Sequence, residues 1–182
     1  MSRWRPPKAH EPFVVEVAAL RREPGSARRV SLAGPMTGLG VPTSTVAEGE
    51  PVCIDALLES VSEGILVTGV VRARWEGECR RCLERATGPL EVEVRELCVE
   101  EPDDEETTYR LDGDLLDLAP LVHDACILEL PLAPLCSEEC LGICAECGAN
   151  RNAEACACVA PVDPRWGALA ALGESERPEE KK

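Results

Sequence analysis

Residues 52–75 read Val52-Cys-Ile-Asp-Ala-Leu-Leu-Glu-Ser-Val61, then Ser62-Glu63-Gly64, then Ile65-Leu-Val-Thr-Gly-Val-Val-Arg-Ala-Arg-Trp75. Two runs enriched in β-branched residues flank three turn formers, with glycine at the reversal, and this predicts an antiparallel hairpin. Downstream, Leu90-Glu-Val-Glu-Val-Arg-Glu alternates with period two, the pattern of a half-buried strand. Upstream, Phe13-Val-Val-Glu-Val17 offers another strand, whereas Pro24 to Pro42 carries enough Gly and Pro to read mostly as loop. Near residue 117 the period changes. Asp117 can cap a helix with Pro120 in its first turn, and Leu118, Leu121, Val122, Ala125 and Cys126 recur on one face until Leu130-Pro131. The predicted fold class is α+β: a mainly antiparallel sheet covered by one or two helices, with a small C-terminal cysteine-rich zinc module.

Composition narrows the function. The chain has 182 residues and a net charge of −15, from Lys+Arg 19 against Asp+Glu 34. Its overall field therefore repels nucleic acid. The charge is unevenly spread: residues 1–40 carry seven basic and three acidic side chains, while residues 96–135 carry twelve acidic groups against Arg110 alone. A local cationic surface can persist within such a chain. Five aromatics (Trp4, Phe13, Trp75, Tyr109, Trp166) are too few for an extended base-stacking platform. His10 and His123 leave little room for histidine catalysis. No apolar run approaches membrane-spanning length and the start lacks a signal peptide's apolar segment, so the expectation is a cytoplasmic protein with reduced thiols and no membrane partner.

Eight of the eleven cysteines fall into close pairs: Cys79-x2-Cys82, Cys136-x3-Cys140, Cys144-x2-Cys147 and Cys156-x-Cys158. In a reducing compartment such pairs read as metal ligands, because tetrahedral zinc needs four thiolates about 2.3 Å from the ion and tight turns supply them at small entropic cost. Gly148 permits the positive φ that such a turn requires, and Asn150 and Asn152 are turn formers in the loop before Cys156. Residues 136–158 hold almost no large apolar side chains, so metal would supply their folding energy. The candidate ligands are Cys136, Cys140, Cys144, Cys147, Cys156 and Cys158. One arrangement binds a single ion through Cys144, Cys147, Cys156 and Cys158, with Cys136 and Cys140 left over or substituting. Another adds a second ion held by Cys79, Cys82, Cys136 and Cys140. Cys53, Cys98 and Cys126 lie within strand or helix patterns and read as small core hydrophobes.

Arg80 and Arg81 sit between turn-forming cysteines, with Arg85 nearby. Cys79, Arg80, Arg81, Cys82 and Arg85 therefore read as a rigid loop that offers guanidinium groups to phosphate. A redox dithiol at Cys79 and Cys82 is the alternative, although Thr87-Gly88-Pro89 stops any helix that would lower a thiol pKa. The acidic stretch from Glu100 to Asp114 reads as a solvated loop. Asp163-Pro-Arg-Trp166 through Gly173 carries the signals of a terminal helix. The expected organisation is 1–135 as α+β core with a basic N-terminal arm, 136–160 as zinc module, and 161–182 as C-terminal helix and charged tail.

The ordered set of Gly77-Glu-Cys79-Arg-Arg-Cys82-Leu-Glu, Leu128-Glu-Leu-Pro-Leu132, Leu135-Cys136-Ser-Glu-Glu-Cys140-Leu-Gly-Ile-Cys144-Ala-Glu-Cys147-Gly-Ala-Asn150, Cys156-Ala-Cys158 and Asp163-Pro-Arg-Trp166 resembles the YceD family, the large ribosomal RNA subunit accumulation proteins, in its cysteine-rich bacterial form. The resemblance runs from about Phe13 to Leu172. It implies a non-enzymatic factor supporting accumulation or processing of large-subunit (23S) ribosomal RNA, whose partner is that RNA, a pre-ribosomal particle or a basic ribosomal protein. It carries over no catalytic residue and no small-molecule substrate, and it makes Cys79, Arg80, Arg81 and Cys82, with Arg85 beside them, the candidates for contact with RNA or an assembly partner. A zinc-ribbon adaptor without RNA contact and a thiol–disulfide protein using Cys79 and Cys82 are the competing expectations.

Overall fold

The structure is a computed structural model that describes residues 11–47, 49–101, 109–159 and 165. These divide into two compact units, residues 11–80 with 84–138, and residues 81–83 with the described residues from 139 onward.

The hairpin dominates the first unit. Strands β1 (Val14–Glu16), β2 (Ala27–Pro35), β3 (Gly40–Val41), β4 (Ser44–Val46), β5 (Pro51–Ser60), β6 (Ile65–Glu78), β7 (Arg85–Val99), β8 (Tyr109–Asp112) and β9 (Leu115–Asp117) join in one sheet, with helices α1 (Ala18–Arg22) and α2 (Ala119–Glu129). The order is β1-β9-β8-β7-β6-β4-β3, with β5 beside β6 and β2 beside β5. Every pairing is antiparallel except β7 with β8. Strands β5 and β6 pair from Cys53 with Arg72 to Ser60 with Ile65, so the turn falls at residues 61–64, where the sequence places it.

Alternation fixes which face is buried. Val52, Ile54, Ala56 and Leu58 of β5, Ile65, Val67 and Val71 of β6, and Leu90, Val94 and Cys98 of β7 all lie in one hydrophobic core. A one-residue slip would expose the whole set. Helix α2 adds Leu121, Val122 and Cys126 to that core, the face read from the sequence, and the Asp117 carboxylate accepts from the Ala119 N–H at 2.9 Å. Each fully buried aliphatic side chain contributes roughly 1.5–3 kcal/mol. Among the described residues no helix is long and apolar enough to cross a membrane.

Two expectations are corrected. Residues 27–35, read as loop, form β2, paired with β5 from Ala27 with Glu59 to Pro35 with Pro51. Glycine and proline lie only at the far end of this strand, and the partner that holds it extended is more than 15 residues away along the chain, so no local signal announced it. The acidic stretch is not all loop: Tyr109–Asp112 forms β8 beside Cys98 and Val99. Residues 102–108 of that stretch, the N-terminal arm through residue 10, and the predicted terminal helix and tail apart from Arg165 lie outside the described residues.

Candidate metal centres

The β6–β7 hairpin is long, 14 and 15 residues, and its ladder closes at Glu78 with Arg85. Six residues, Cys79 to Glu84, make the tip, and the Cys79 N–H donates to the Glu84 carbonyl at 2.8 Å. Leu83 there adopts a positive φ of 64°. After α2, Thr43 and Ser44 hydroxyls donate to the Pro131 carbonyl, and the Arg80 N–H donates to the Pro134 carbonyl at 3.0 Å, which lays the Pro-rich segment along the hairpin end. Stiff prolines thus deliver Cys136 without a regular element.

Eight thiols gather in two groups of four. Cys79, Cys82, Cys136 and Cys140 form one, and Cys144, Cys147, Cys156 and Cys158 the other; within each, the sulfurs lie within 4.8 Å of one another. A tetrahedral zinc with bonds of about 2.3 Å spaces its sulfurs about 3.8 Å apart, so each group fits a metal ion after a small contraction. Cys136 and Cys140 stand with the hairpin cysteines. The groups differ in exposure: Cys79, Cys82 and Cys140 are buried, whereas Cys147 and Cys158 are exposed and Cys156 half-buried.

The second group is built on a turn. The Gly148 N–H donates to the Cys144 carbonyl at 2.9 Å and the Cys144 N–H to the Ala149 carbonyl at 2.8 Å, with Gly148 at a φ of 75°. Backbone N–H groups of Cys147 and Glu146 donate to the Cys144 sulfur, as do the thiols of Cys156 and Cys147, and together they pull its pKa from 9.0 down to about 6. Cys158 is pushed up to about 12 by the hydrogen bonds it donates to Cys147 and Cys144, then by burial and by the charge of those two thiols. Cys156 is also raised, first by its hydrogen bond to Cys144. Four adjacent thiols cannot all ionise together; a divalent cation relieves that repulsion.

The arginines of the proposed contact loop have different fates. Arg81 donates to the Cys140 carbonyl at 3.0 Å, and its own carbonyl accepts from the Ile143 N–H at 3.0 Å. Arg85 pairs with Glu76. Arg80 is exposed and its side chain has no hydrogen-bond or ion-pair partner among the described residues. Cys79 and Cys82 are buried at a hairpin tip, a different setting from the helix N-terminus that activates a redox dithiol. Cys98 and Cys126 lie in the core, where burial pushes their thiols up to about 12 and about 11. His123 stands half-exposed on α2, 3.2 Å from Asp124. Sequence reasoning took Asn152 only for a turn former; its spacing two residues after Asn150, between the cysteine pairs, was the available signal.

Residues 67–173 match the family described as large ribosomal RNA subunit accumulation protein YceD, and this range contains all eight clustered cysteines. The chain is 34% identical over 166 residues to uncharacterized proteins of Mycobacterium tuberculosis and Mycobacterium bovis, covering 87% of this chain and 80% of theirs. An uncharacterized protein of Mycobacterium leprae is 32% identical over 165 residues, covering 87% and 76%. No solved structure matches. The ordered cysteine pairs, the long hairpin that presents the first of them, and this match across more than half of its length together place the chain in the YceD family.

Proposed function

We propose that this chain is a non-enzymatic, cytoplasmic ribosome-biogenesis factor that supports accumulation or processing of large-subunit ribosomal RNA, with zinc in both thiol groups. The observation that carries the reading is the family match, whose description names large ribosomal RNA subunit accumulation and whose range spans both groups. Thiolate donors in tetrahedral reach select zinc over the oxygen-seeking magnesium and calcium. Metal gives the cysteine-rich segment a fixed shape for presentation to precursor RNA or to an early particle.

RNA contact centres on Arg80 at the hairpin tip. Arg21, Arg72 and Arg85 each face carboxylates, at Glu100, at Asp55 and Glu91, and at Glu76, so each gives up a weak surface ion pair to reach phosphate, whereas Arg80 gives up none among the described residues. A single arginine contact gives a weak, salt-dependent attachment. The test is association of the full chain with precursor large-subunit RNA at several salt concentrations. Arg80→Ala should weaken binding and lower the salt slope by about one contact. Unchanged binding and slope would remove Arg80 from the interface, and absence of the RNA from particles isolated with the tagged chain would overturn the reading.

A second reading has its own support. Leu83, Leu141 and Ile143 are 57%, 59% and 41% exposed on the second unit. Apolar side chains left in water beside a structural metal suit an adaptor that binds protein. Capture of a ribosomal protein that survives nuclease and is lost in Leu141→Asp would favour it.

A further inference from the structure

The loop that closes the second thiol group reaches a sulfur of the first. Asn152 lies between Cys147 and Cys156, and its Nδ2 donates to the Cys140 Sγ at 3.3 Å and to the Asn150 Oδ1 at 2.9 Å. Its Oδ1 accepts from the Leu141 N–H at 2.7 Å, and its backbone N–H donates to the Asn150 Oδ1 at 3.0 Å. The orientation of the carboxamide follows from chemistry: the Leu141 N–H can only donate, so the atom facing it is oxygen and the atom facing the sulfur is nitrogen. Both Nδ2 hydrogens are thereby engaged, one on sulfur.

We infer that Asn152 is a positioning residue that couples the two metal groups, so that metal on Cys144, Cys147, Cys156 and Cys158 raises the affinity of the group containing Cys140. This rests on the metal reading above. Zinc held by four thiolates carries a net charge of −2, in a chain that is already at −15. An N–H donor on one sulfur stabilises that charge, and donors around a metal site are typically worth 10- to 100-fold in metal affinity. The donor is held only while the loop carrying it is held, and the loop from residue 148 to 155 is closed by the second group. Coupling of this kind is reciprocal: an ion on the Cys140 group also steadies the loop of its neighbour.

Substitutions separate this role from a merely structural one. Asn152→Asp keeps an oxygen for the Leu141 N–H but removes the donor to sulfur, and Asn152→Ala removes both without adding charge. The full chain is stripped, reloaded with cobalt(II) and challenged with a chelator; native mass spectrometry counts ions, and iodoacetamide labelling identifies which cysteines empty. Both variants should release the ion of the Cys140 group about 10- to 100-fold more readily and shift its thiolate-to-cobalt band to lower energy. Cys156→Ser with Cys158→Ser should produce the same weakening, and Asn152→Asp should add nothing on that background. Wild-type retention and an unshifted band in Asn152→Asp, or additive effects in the combined variant, would overturn the coupling. A wild-type chain that takes up no metal would instead overturn the metal reading itself.

Discussion

Leu83 stands to Cys82 as Gly148 stands to Cys147: each directly follows the second cysteine of a C-x2-C turn, and each holds a left-handed φ, 64° and 75°. The chain uses one turn twice, once with the residue that suits it and once with a residue that resists it. A side chain in this region costs roughly 1–2 kcal/mol.

Two substitutions measure that difference. Leu83→Gly relieves the strain while giving the unfolded chain more freedom, and the two effects offset to within about 1 kcal/mol. Gly148→Ala introduces strain without relief and should destabilise by about 1 kcal/mol or more. Denaturant unfolding of the metal-loaded chain checks both; equal losses in the two variants would show that the turns are not equivalent.

Metal removal should act locally. The sheet core of Ile54, Leu58, Ile65, Val67, Val71 and Leu116 contains none of the clustered cysteines, so it does not need them to pack. The segment from Ile143 to Ala155 has little apolar burial to replace metal. Native mass spectrometry should count two zinc ions per chain. Chelation should then abolish hydrogen-exchange protection at the amides of Ile143, Cys144 and Gly148, which donate to Arg81, Ala149 and Cys144, and leave β5 and β6 protected. Uniform loss across the sheet would contradict this division.

Gly142 tests how tightly the cysteine segment is built. Its φ is 73°, and an added Cβ would stand 2.9 Å from the Arg81 carbonyl oxygen, which is backbone and cannot swing aside. Gly142→Ala should therefore combine left-handed strain with overpacking, a loss of about 2 kcal/mol or more. Thermal unfolding would show it, and a variant as stable as wild type would place the segment differently.

The hairpin and α2 were legible because their signals are local: β-branched runs around Ser62-Glu63-Gly64, and a buried face that repeats from Leu118 to Cys126. Strand β2 was not, because Arg28 and Arg29 read as surface loop until Leu57 and Leu58 are known to lie opposite. The cysteine spacing marked Cys136, Cys140, Cys144, Cys147, Cys156 and Cys158 as candidate ligands, and offered Cys79 and Cys82 both to a contact loop and to a second set of ligands. It left open how they divide, because the partition depends on where Pro131 and Pro134 carry the chain after α2. The role of Arg81 was hidden for a related reason: a guanidinium that satisfies the Cys140 carbonyl looks, in sequence, like one offered to phosphate.

The thiols of the metal-free, reduced chain should titrate far apart. Cys144, lowered from 9.0 to about 6, gains its stabilisation from ionising in the folded state. That contribution is complete above the unfolded value near 9 and is lost as pH falls through about 6. Cys158, raised to about 12, contributes in the opposite sense: its stabilisation is present below about 9 and is lost as pH rises toward about 12. Residue-resolved iodoacetamide labelling from about pH 5 to about pH 10 reads the difference, since only the thiolate reacts. Cys144 should reach half its maximal rate near pH 6, with Cys158 still rising at the alkaline end. Metal uptake at neutral pH should then displace no proton from Cys144 while displacing one from Cys158, so affinity should climb with pH through the raised thiols of Cys156 and Cys158. A Cys144 midpoint near 9 would mean that the amides of Glu146 and Cys147 do not point at its sulfur, and that the turn forms only around the metal.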